Sequence, residues 1–319
     1  MSGGRYRHVA GSAQLVSAAA VPRYRPAAAR LRARRVPALD RNFRMSVLPV
    51  TVVVPTKNEA KNLQQCLSRL GDFAHVWVVD SGSTDGTQQI ARDYGARVID
   101  FDWAGGYPKK RNWVLLNEQF KTPWVLFLDG DEQVSAAFVR ELASALTETD
   151  KVGFWLNYTT HFMGKVLKHG LPQRKLALFR VGAGLYERIE DPGWSKLDME
   201  VHEHPQLDGA VGEIAARIDH LDFRGIEHFI ARHNSYSTWE VHRRAQLMAD
   251  TGGAWARLTK RQKTKYRALD KWWFAPAYFL GTYIAKRGFL DGAAGLHYAL
   301  MKFAYFHDIK LKIDERAGQ

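Results

Sequence analysis

The chain has 319 residues, 46% of them hydrophobic and 25% charged, which is enough for one large α/β domain with an extension. Its net charge of +13 is unevenly spread: residues 1–44 hold ten Arg against one Asp, leaving +4 on the rest, so the overall basicity does not argue for a nucleic-acid binder. One cysteine, Cys66, excludes an intrachain disulfide, fits a reducing compartment and reads as core packing.

Residues 1–44 lack the pattern of a secretory signal, because the apolar run 15–21 is short, is interrupted by Ser17 and is followed by Arg. They read as a disordered basic arm, a transit-like peptide or a start placed too far upstream, with Met45 just ahead of the first strand. Residues 50–54 are a continuous β-branched run ended by Pro55, the signature of a buried parallel strand. Helical spacing follows over 59–71 (Leu63, Cys66, Leu67, Leu70), with Gly71 as the stop. A second strand at 75–79 ends on Asp80, and the turn 81–86 leads into a helix at 86–94 with Ser83 or Thr84 as its N-cap. A strand at 97–101, a helix at 109–120 and a strand at 123–128 complete a βαβαβαβ alternation. Beyond a helix at 135–148, residues 152–160 and 174–181 read as strands and 184–223 as loop-rich. Helices are expected at 226–251, 266–286 and 289–307.

In a parallel sheet of this kind ligands bind at the carboxyl ends of the strands. Those ends carry Pro55, Thr56, Asn58 and Glu59; Asp80 and Ser81; and Asp129-Gly130-Asp131. Two carboxylates one residue apart can hold a hard divalent cation together with substrate phosphates. Taken alone, Asp-x-Asp is as well explained by a solvated acidic turn. Its place after a strongly apolar strand, facing two other polar strand ends, favours a site. Lys110, Arg111 and Asn112 open a helix after Gly105-Gly106-Tyr107-Pro108, a setting suited to diphosphate or to a solvated basic face. Asp80 could serve a nucleoside or a plain turn, and Glu59 could do no more than complement a helix dipole.

Three segments carry a resemblance: Val52-Val53-Val54-Pro55-Thr56-Lys57-Asn58-Glu59, Val78-Val79-Asp80-Ser81-Gly82-Ser83-Thr84-Asp85-Gly86-Thr87, and Leu126-Phe127-Leu128-Asp129-Gly130-Asp131-Glu132. In order and spacing they resemble the family 2 glycosyltransferases of GT-A fold, over about residues 48–225. The resemblance is greatest to the bacterial branch of lipopolysaccharide-core and exopolysaccharide assembly. Arg111-Asn112-Trp113, Val201-His202-Glu203, His233-Asn234-Ser235-Tyr236-Ser237 and the run 286–292 are similar to further elements of that branch. It implies a Rossmann-like, mainly parallel nucleotide-binding sheet at 45–225 and a helical C-terminal region at 226–319. It further implies inverting transfer from a nucleotide sugar, such as UDP-glucose, with Mn²⁺ or Mg²⁺. Pro55, Thr56, Glu59 and Asp80 would surround the nucleoside, with Asn58, Ser81 and Gly130 alongside. Lys110, Arg111 and Asn112 would lie at the phosphates, Asp129 at the donor and, together with Asp131, on the metal, with His202 assisting. Glu203 is the expected general base and Asp198 the fallback. One departure stands out: the branch carries an Arg before Leu-Phe-Arg, where this chain has Ala177, so Arg174 or Lys175 would have to substitute.

Residues 272–285 are apolar and aromatic for 14 positions between Lys271 and Lys286-Arg287. That is short of the roughly 20 needed to span a bilayer, but it suits the headgroup zone. The expected partners are thus a nucleotide-sugar donor, a lipid-linked or glycan acceptor and the cytoplasmic face of a membrane, with homo-oligomerisation open and no nucleic acid. A nucleotidyltransferase would want glycines after the first strand, where Pro55-Thr56-Lys57-Asn58-Glu59 has none. A non-enzymatic binder would depend on residues 1–44.

Overall fold

The computed structural model describes residues 47–189, 197–200, 203–250 and 253–318. The expected arm at 1–44, and His202, lie outside them. Apolar residues on both faces of β1 (Leu48–Thr56) require cover on both sides of the sheet. Val50, Val52, Val53 and Val54 are accordingly buried. β1 pairs in parallel with β2 (Phe73–Asp80) and with β4 (Trp124–Phe127), and β3 (Arg97–Asp100) extends the parallel run beyond β2. The connections carry α1 (Ala60–Leu67), α2 (Thr87–Asp93) and α3 (Lys110–Asn117). α1 buries Leu63, Cys66 and Leu67, the stripe its spacing predicted. α2 starts differently from the expectation: Gly86, at φ 89°, takes the N-cap position, and the Asp85 carboxylate accepts the Thr87 N–H at 3.1 Å.

The rest of the sheet is mixed. After β5 (Glu132–Gln133) and α4 (Ala136–Leu146) come β6 (Gly153–Phe162), β7 (Lys165–Leu167) and β8 (Gln173–Arg180). The short pair β9 (Gly184–Tyr186) and β10 (Pro205–Leu207) forms its own ribbon, and β11 (Val211–His220) returns to the main sheet. The order is β3-β2-β1-β4-β8-β6-β11-β5, with β7 on β6. β11 corrects the expectation of a loop-rich 184–223. Its buried apolar residues, Ile214 and Ile218, are four apart, and an irregularity between Ile214 and Arg217 breaks the alternation by which a strand is recognised.

The C-terminal region is helical, as expected: α5 (Ile226–Met248), α6 (Ala254–Arg257), α7 (Lys260–Ala268), α8 (Phe274–Leu280) and α9 (Gly292–Ala317). A π-helical turn (Gly281–Ala285) and a 3-10 turn (Gly288–Asp291) join α8 to α9. The single helix expected at 266–286 is two, because a Thr259/Gln262 capping box starts α7 early and the chain turns before Phe274. This region packs around its own apolar cluster, including Leu269, Tyr305 and Ile309. Among the described residues no helix is long and apolar enough to cross a membrane.

Candidate active site

The parallel register aligns Thr56 with Asp80 and Asp80 with Asp100, while β4 runs alongside Val53 into Asp129. The polar strand ends therefore meet at one edge, as their sequence positions predicted. Asp80 is fully buried there and accepts four hydrogen bonds: from Thr56 Oγ1 (2.9 Å), Ser83 N (2.8 Å), Ser83 Oγ (2.5 Å) and Gln88 Nε2 (2.9 Å). Burial opposes its ionisation, but these donors outweigh burial and hold the carboxyl below its usual range. Asn58, in left-handed conformation at φ 56°, ties the β1–α1 loop to the 81–86 turn through Ser83 and Thr84. Ser81 Oγ is buried without a hydrogen-bond partner among the described residues.

α3 delivers its basic start to the same edge. Lys110 Nζ donates to the Thr56 carbonyl at 2.7 Å and lies 3.2 Å from Asp198 Oδ2, and burial lowers its pKa despite that carboxylate. Arg111 reaches Asp129 Oδ1 at 2.6 Å and also bonds the Glu200 carbonyl. The Glu200 carboxylate, which no sequence signal singled out, accepts the backbone N–H groups of Arg111 (2.8 Å) and Asn112 (3.0 Å) and so caps α3. Asn112 stands apart from the expected nucleotide contacts. It is buried, and its amide pairs with both the N–H (2.8 Å) and the carbonyl (3.0 Å) of Tyr186. It holds β9 against α3.

Asp129 has a second cation. Lys175 Nζ lies 2.6 Å from Asp129 Oδ2 and 2.5 Å from Glu132 Oε1. The antiparallel register of β4 and β8, with Trp124 opposite Arg180 and Leu126 opposite Leu178, runs on to set Lys175 against Asp129. Of the two residues expected to substitute for the missing arginine, Lys175 is therefore the one that reaches this edge. Arg174 points away, over the Trp155 ring at 4.8 Å. Burial opposes the Asp129 charge, but Lys175 and Arg111 outweigh it and hold that carboxyl far below the usual range. Glu132, itself pushed up by burial, fixes the turn by accepting the Asp129 N–H at 3.1 Å.

Asp131 meets groups that the sequence did not flag. β5 pairs with the end of β11, His220 opposite Glu132, and this brings His220 Nε2 to 3.3 Å from Asp131 Oδ2. Arg224 and Arg232 approach the same oxygen at 3.4 and 3.7 Å. Burial raises the Asp131 pKa, but His220 and Arg232 outweigh it and lower the net value. Glu59 closes this corner at 2.5 Å from Arg224, and burial pushes its pKa up to about 7. Gly130 leaves room for Glu59: a Cβ there would stand 3.3 Å from Glu59 Cγ, so that side chain would have to shift by a few tenths of an ångström.

Among the described residues no three His, Cys, Asp or Glu side chains cluster as a metal site. Asp131 and His220 nevertheless suit one. Neighbouring donors of an octahedral Mg²⁺-type ion at about 2.1 Å sit about 3 Å apart, and such ions take their remaining ligands from phosphate and water. The two base candidates both lie against lysines: Asp198 is half-buried by Lys110, and Glu203 is buried 3.1 Å from Lys109 Nζ.

Residues 51–193 match the model of the family described as glycosyl transferase family 2. The chain is 27% identical over 277 residues to the lipopolysaccharide core biosynthesis glycosyltransferase LpsC of Rhizobium meliloti (strain 1021), covering 81% of this chain and 91% of that protein. It is 38% identical over 101 residues to the glycosyltransferase AglJ of Haloferax volcanii, covering 31% of this chain but only 33% of that protein. Among solved structures, the mannosyltransferase PcManGT of Pyrobaculum calidifontis, in complex with GDP-Man and Mn²⁺, matches at 16% identity and TM-score 0.45, over 83% of this chain and 86% of that one.

Proposed function

Since residues 51–193 of this chain are a family 2 glycosyltransferase domain, we propose that it transfers a sugar, with inversion, from a nucleoside diphosphate sugar such as UDP-glucose to a lipid-linked or glycan acceptor of bacterial lipopolysaccharide or related surface polysaccharide. The observation that carries this reading is the meeting of Asp80, Lys110, Arg111, Asp129 and Asp131 at the carboxyl edge of β1, β2 and β4. The similarity to a lipopolysaccharide-core enzyme supports the acceptor class.

In this reading Thr56, Asp80 and Ser81 face the nucleoside, with the unpartnered Ser81 hydroxyl able to exchange a hydrogen bond with it. Lys110 and Arg111 lie on the diphosphate side. Asp131 and His220 would hold Mn²⁺ or Mg²⁺, which supplies positive charge to the departing diphosphate. The acceptor oxygen attacks the anomeric carbon while the bond to the diphosphate oxygen breaks and its electron pair leaves with the nucleotide. The acceptor's proton passes to a carboxylate, Glu203 or Asp198. Arg111 and Lys175 hold Asp129 ionised and in one orientation towards the donor sugar.

Peripheral contact with the cytoplasmic face of a membrane belongs to the same proposal. Trp272 is 77% exposed, and Trp273, Leu280 and Ile284 are also exposed between Lys271 and Lys286-Arg287, with exposed Phe289 and Leu290 just beyond. Aromatics and aliphatics with basic flanks suit the headgroup zone.

The test is a thermal-shift screen of nucleotides and nucleotide sugars with and without Mn²⁺, followed by donor turnover. A metal-enhanced shift with one nucleoside diphosphate class is expected. No shift with any, together with no turnover, would overturn the reading.

A further inference from the structure

A cavity of about 280 Å³ lies between the β6–β8 part of the sheet and the C-terminal helices. Tyr158, Thr160 and Gln173 form its sheet wall, and Tyr278, Tyr298 and Lys302 its helical wall. The two walls are fastened together. Asp291, at the end of the 3-10 turn, accepts the backbone N–H groups of Lys168 (3.1 Å) and His169 (3.0 Å) and pairs with the His169 ring at 2.9 Å. Gly170 N donates to the Lys286 carbonyl at 3.0 Å. Gly295 lets α9 close on the 3-10 turn, since a Cβ there would stand 2.1 Å from the Gly288 carbonyl oxygen. The 286–292 run thus helps build the cavity.

The cavity is polar and positive. Lys168, Arg217 and Lys302 line it, and the carboxylate that faces it, Asp291, is committed to three donors of the 168–169 backbone and ring. Lys302 has no ion pair among the described residues. Its ammonium lies 3.0 Å from His233 Nε2 and within 6 Å of the Tyr298 and Tyr305 rings, at 5.6 and 5.5 Å. The charged groups around it, Arg232 and Lys265, are both cations, and burial together with that repulsion lowers its pKa to about 8. An anion entering here would supply the missing counter-charge.

The cavity also adjoins the reaction centre. His220 sits on Asp131 through Nε2, and its Nδ1 lies 3.4 Å from Gln173 Oε1, which Thr160 Oγ1 also approaches at 3.3 Å. One ring therefore separates the Asp131 carboxylate from the cavity wall. Three tyrosines and a pair of polar side chains are the usual furniture of a sugar site, offering apolar faces and hydrogen bonds together.

We propose that this cavity is the acceptor subsite and that it receives a sugar bearing a phosphate or a carboxylate, the anion lying against Lys302 and Arg217. The proposal rests on the glycosyltransferase reading above and deepens it by naming the acceptor's chemistry.

The test is calorimetric titration of glucose 6-phosphate, glucuronate and glucose into the full chain saturated with UDP and Mn²⁺, which keeps the donor's phosphate contacts occupied. At least one anionic sugar is expected to bind about tenfold or more tightly than glucose. Preference for the phosphate or the carboxylate identifies the anion. Lys302→Met should lose that preference and Lys302→Arg should keep it, with UDP affinity and unfolding midpoint unchanged. If Lys302→Met does not fold, Arg217→Gln, at the exposed mouth, should weaken the anionic sugar alone. Equal or absent binding of all three sugars, or wild-type binding of the anionic sugar to Lys302→Met or to a folded Arg217→Gln, would overturn the proposal. Failure to bind UDP would instead count against the donor reading, and the same titration without nucleotide would still decide the cavity.

Discussion

His220 Nε2 stands 3.3 Å from Asp131 Oδ2 because the two-residue strand β5 pairs with the far end of β11. In the proposed reading the pair would be two ligands of a metal shell that a phosphate-bearing ligand completes. Asp131→Asn and His220→Ala should each lower donor turnover by about 100-fold or more and abolish the Mn²⁺-dependent part of nucleotide binding. Calorimetric titration of nucleotide with and without Mn²⁺ measures this. Intact metal enhancement in both variants would remove the pair from the metal.

Lys175 carries two carboxylates at once. Lys175→Met leaves Asp129 and Glu132 without their ammonium and should destabilise the fold by about 3 kcal/mol while suppressing donor turnover. Arg174→Ala, next along the strand but on the exposed face, should change stability by no more than about 0.5 kcal/mol. Urea unfolding of the two variants beside wild type separates them, and equal effects would refute the pairing of Lys175 with Asp129 and Glu132 as a stabilising element.

Glu59 gives a pH signature. Burial raises its pKa from 4.5 to about 7, against the pull of Arg224. The folded chain therefore holds this proton more tightly than the unfolded chain. The stabilisation is fully present below about pH 4.5 and is lost as pH rises through about 7, at most about 3 kcal/mol in all. Glu59→Gln should flatten the stability profile across that window. Denaturation midpoints at pH 5 and pH 7.5 in metal-free buffer provide the comparison, and parallel profiles would exclude Glu59 as the titrating group.

Asp198 and Glu203 are expected to separate by function. Removing the general base should cut transfer by about 10²- to 10⁴-fold while sparing donor binding. Glu203→Gln is expected to behave so. Asp198→Asn, which unpairs Lys110 at the Thr56 carbonyl, should weaken the donor as well. Near-normal transfer by Glu203→Gln together with a pure turnover loss in Asp198→Asn would exchange the two roles.

Exposed aromatics between basic flanks should bind anionic bilayers. Flotation with phosphatidylglycerol vesicles should recover the chain, and Trp272→Ala with Trp273→Ala should reduce recovery several-fold at unchanged stability, since both side chains are exposed. A chain that stays at the bottom of the gradient with every vesicle composition would rule the contact out.

Much of the site was legible in the sequence for a physical reason. Parallel strands joined by helical crossovers all run the same way, so once apolar runs such as 50–54 and 124–127 announce strands, their polar ends must share one edge. Asp80, Asp129, Asp131, Lys110 and Arg111 follow from that rule. Other partners depend on antiparallel register between distant segments. Lys175 meets Asp129 through β4 and β8, and His220 meets Asp131 through β5 and β11. Register is set by the packing of the whole sheet, and the irregularity in β11 hides even that strand's periodicity. The amino-acid order by itself determined at which sheet edge Asp80, Asp129, Asp131, Lys110 and Arg111 stand. Only the tertiary structure decided which histidine and which lysine reach them, and that the C-terminal helices enclose a basic cavity one imidazole away, because those contacts exist only once strands far apart in the chain have paired.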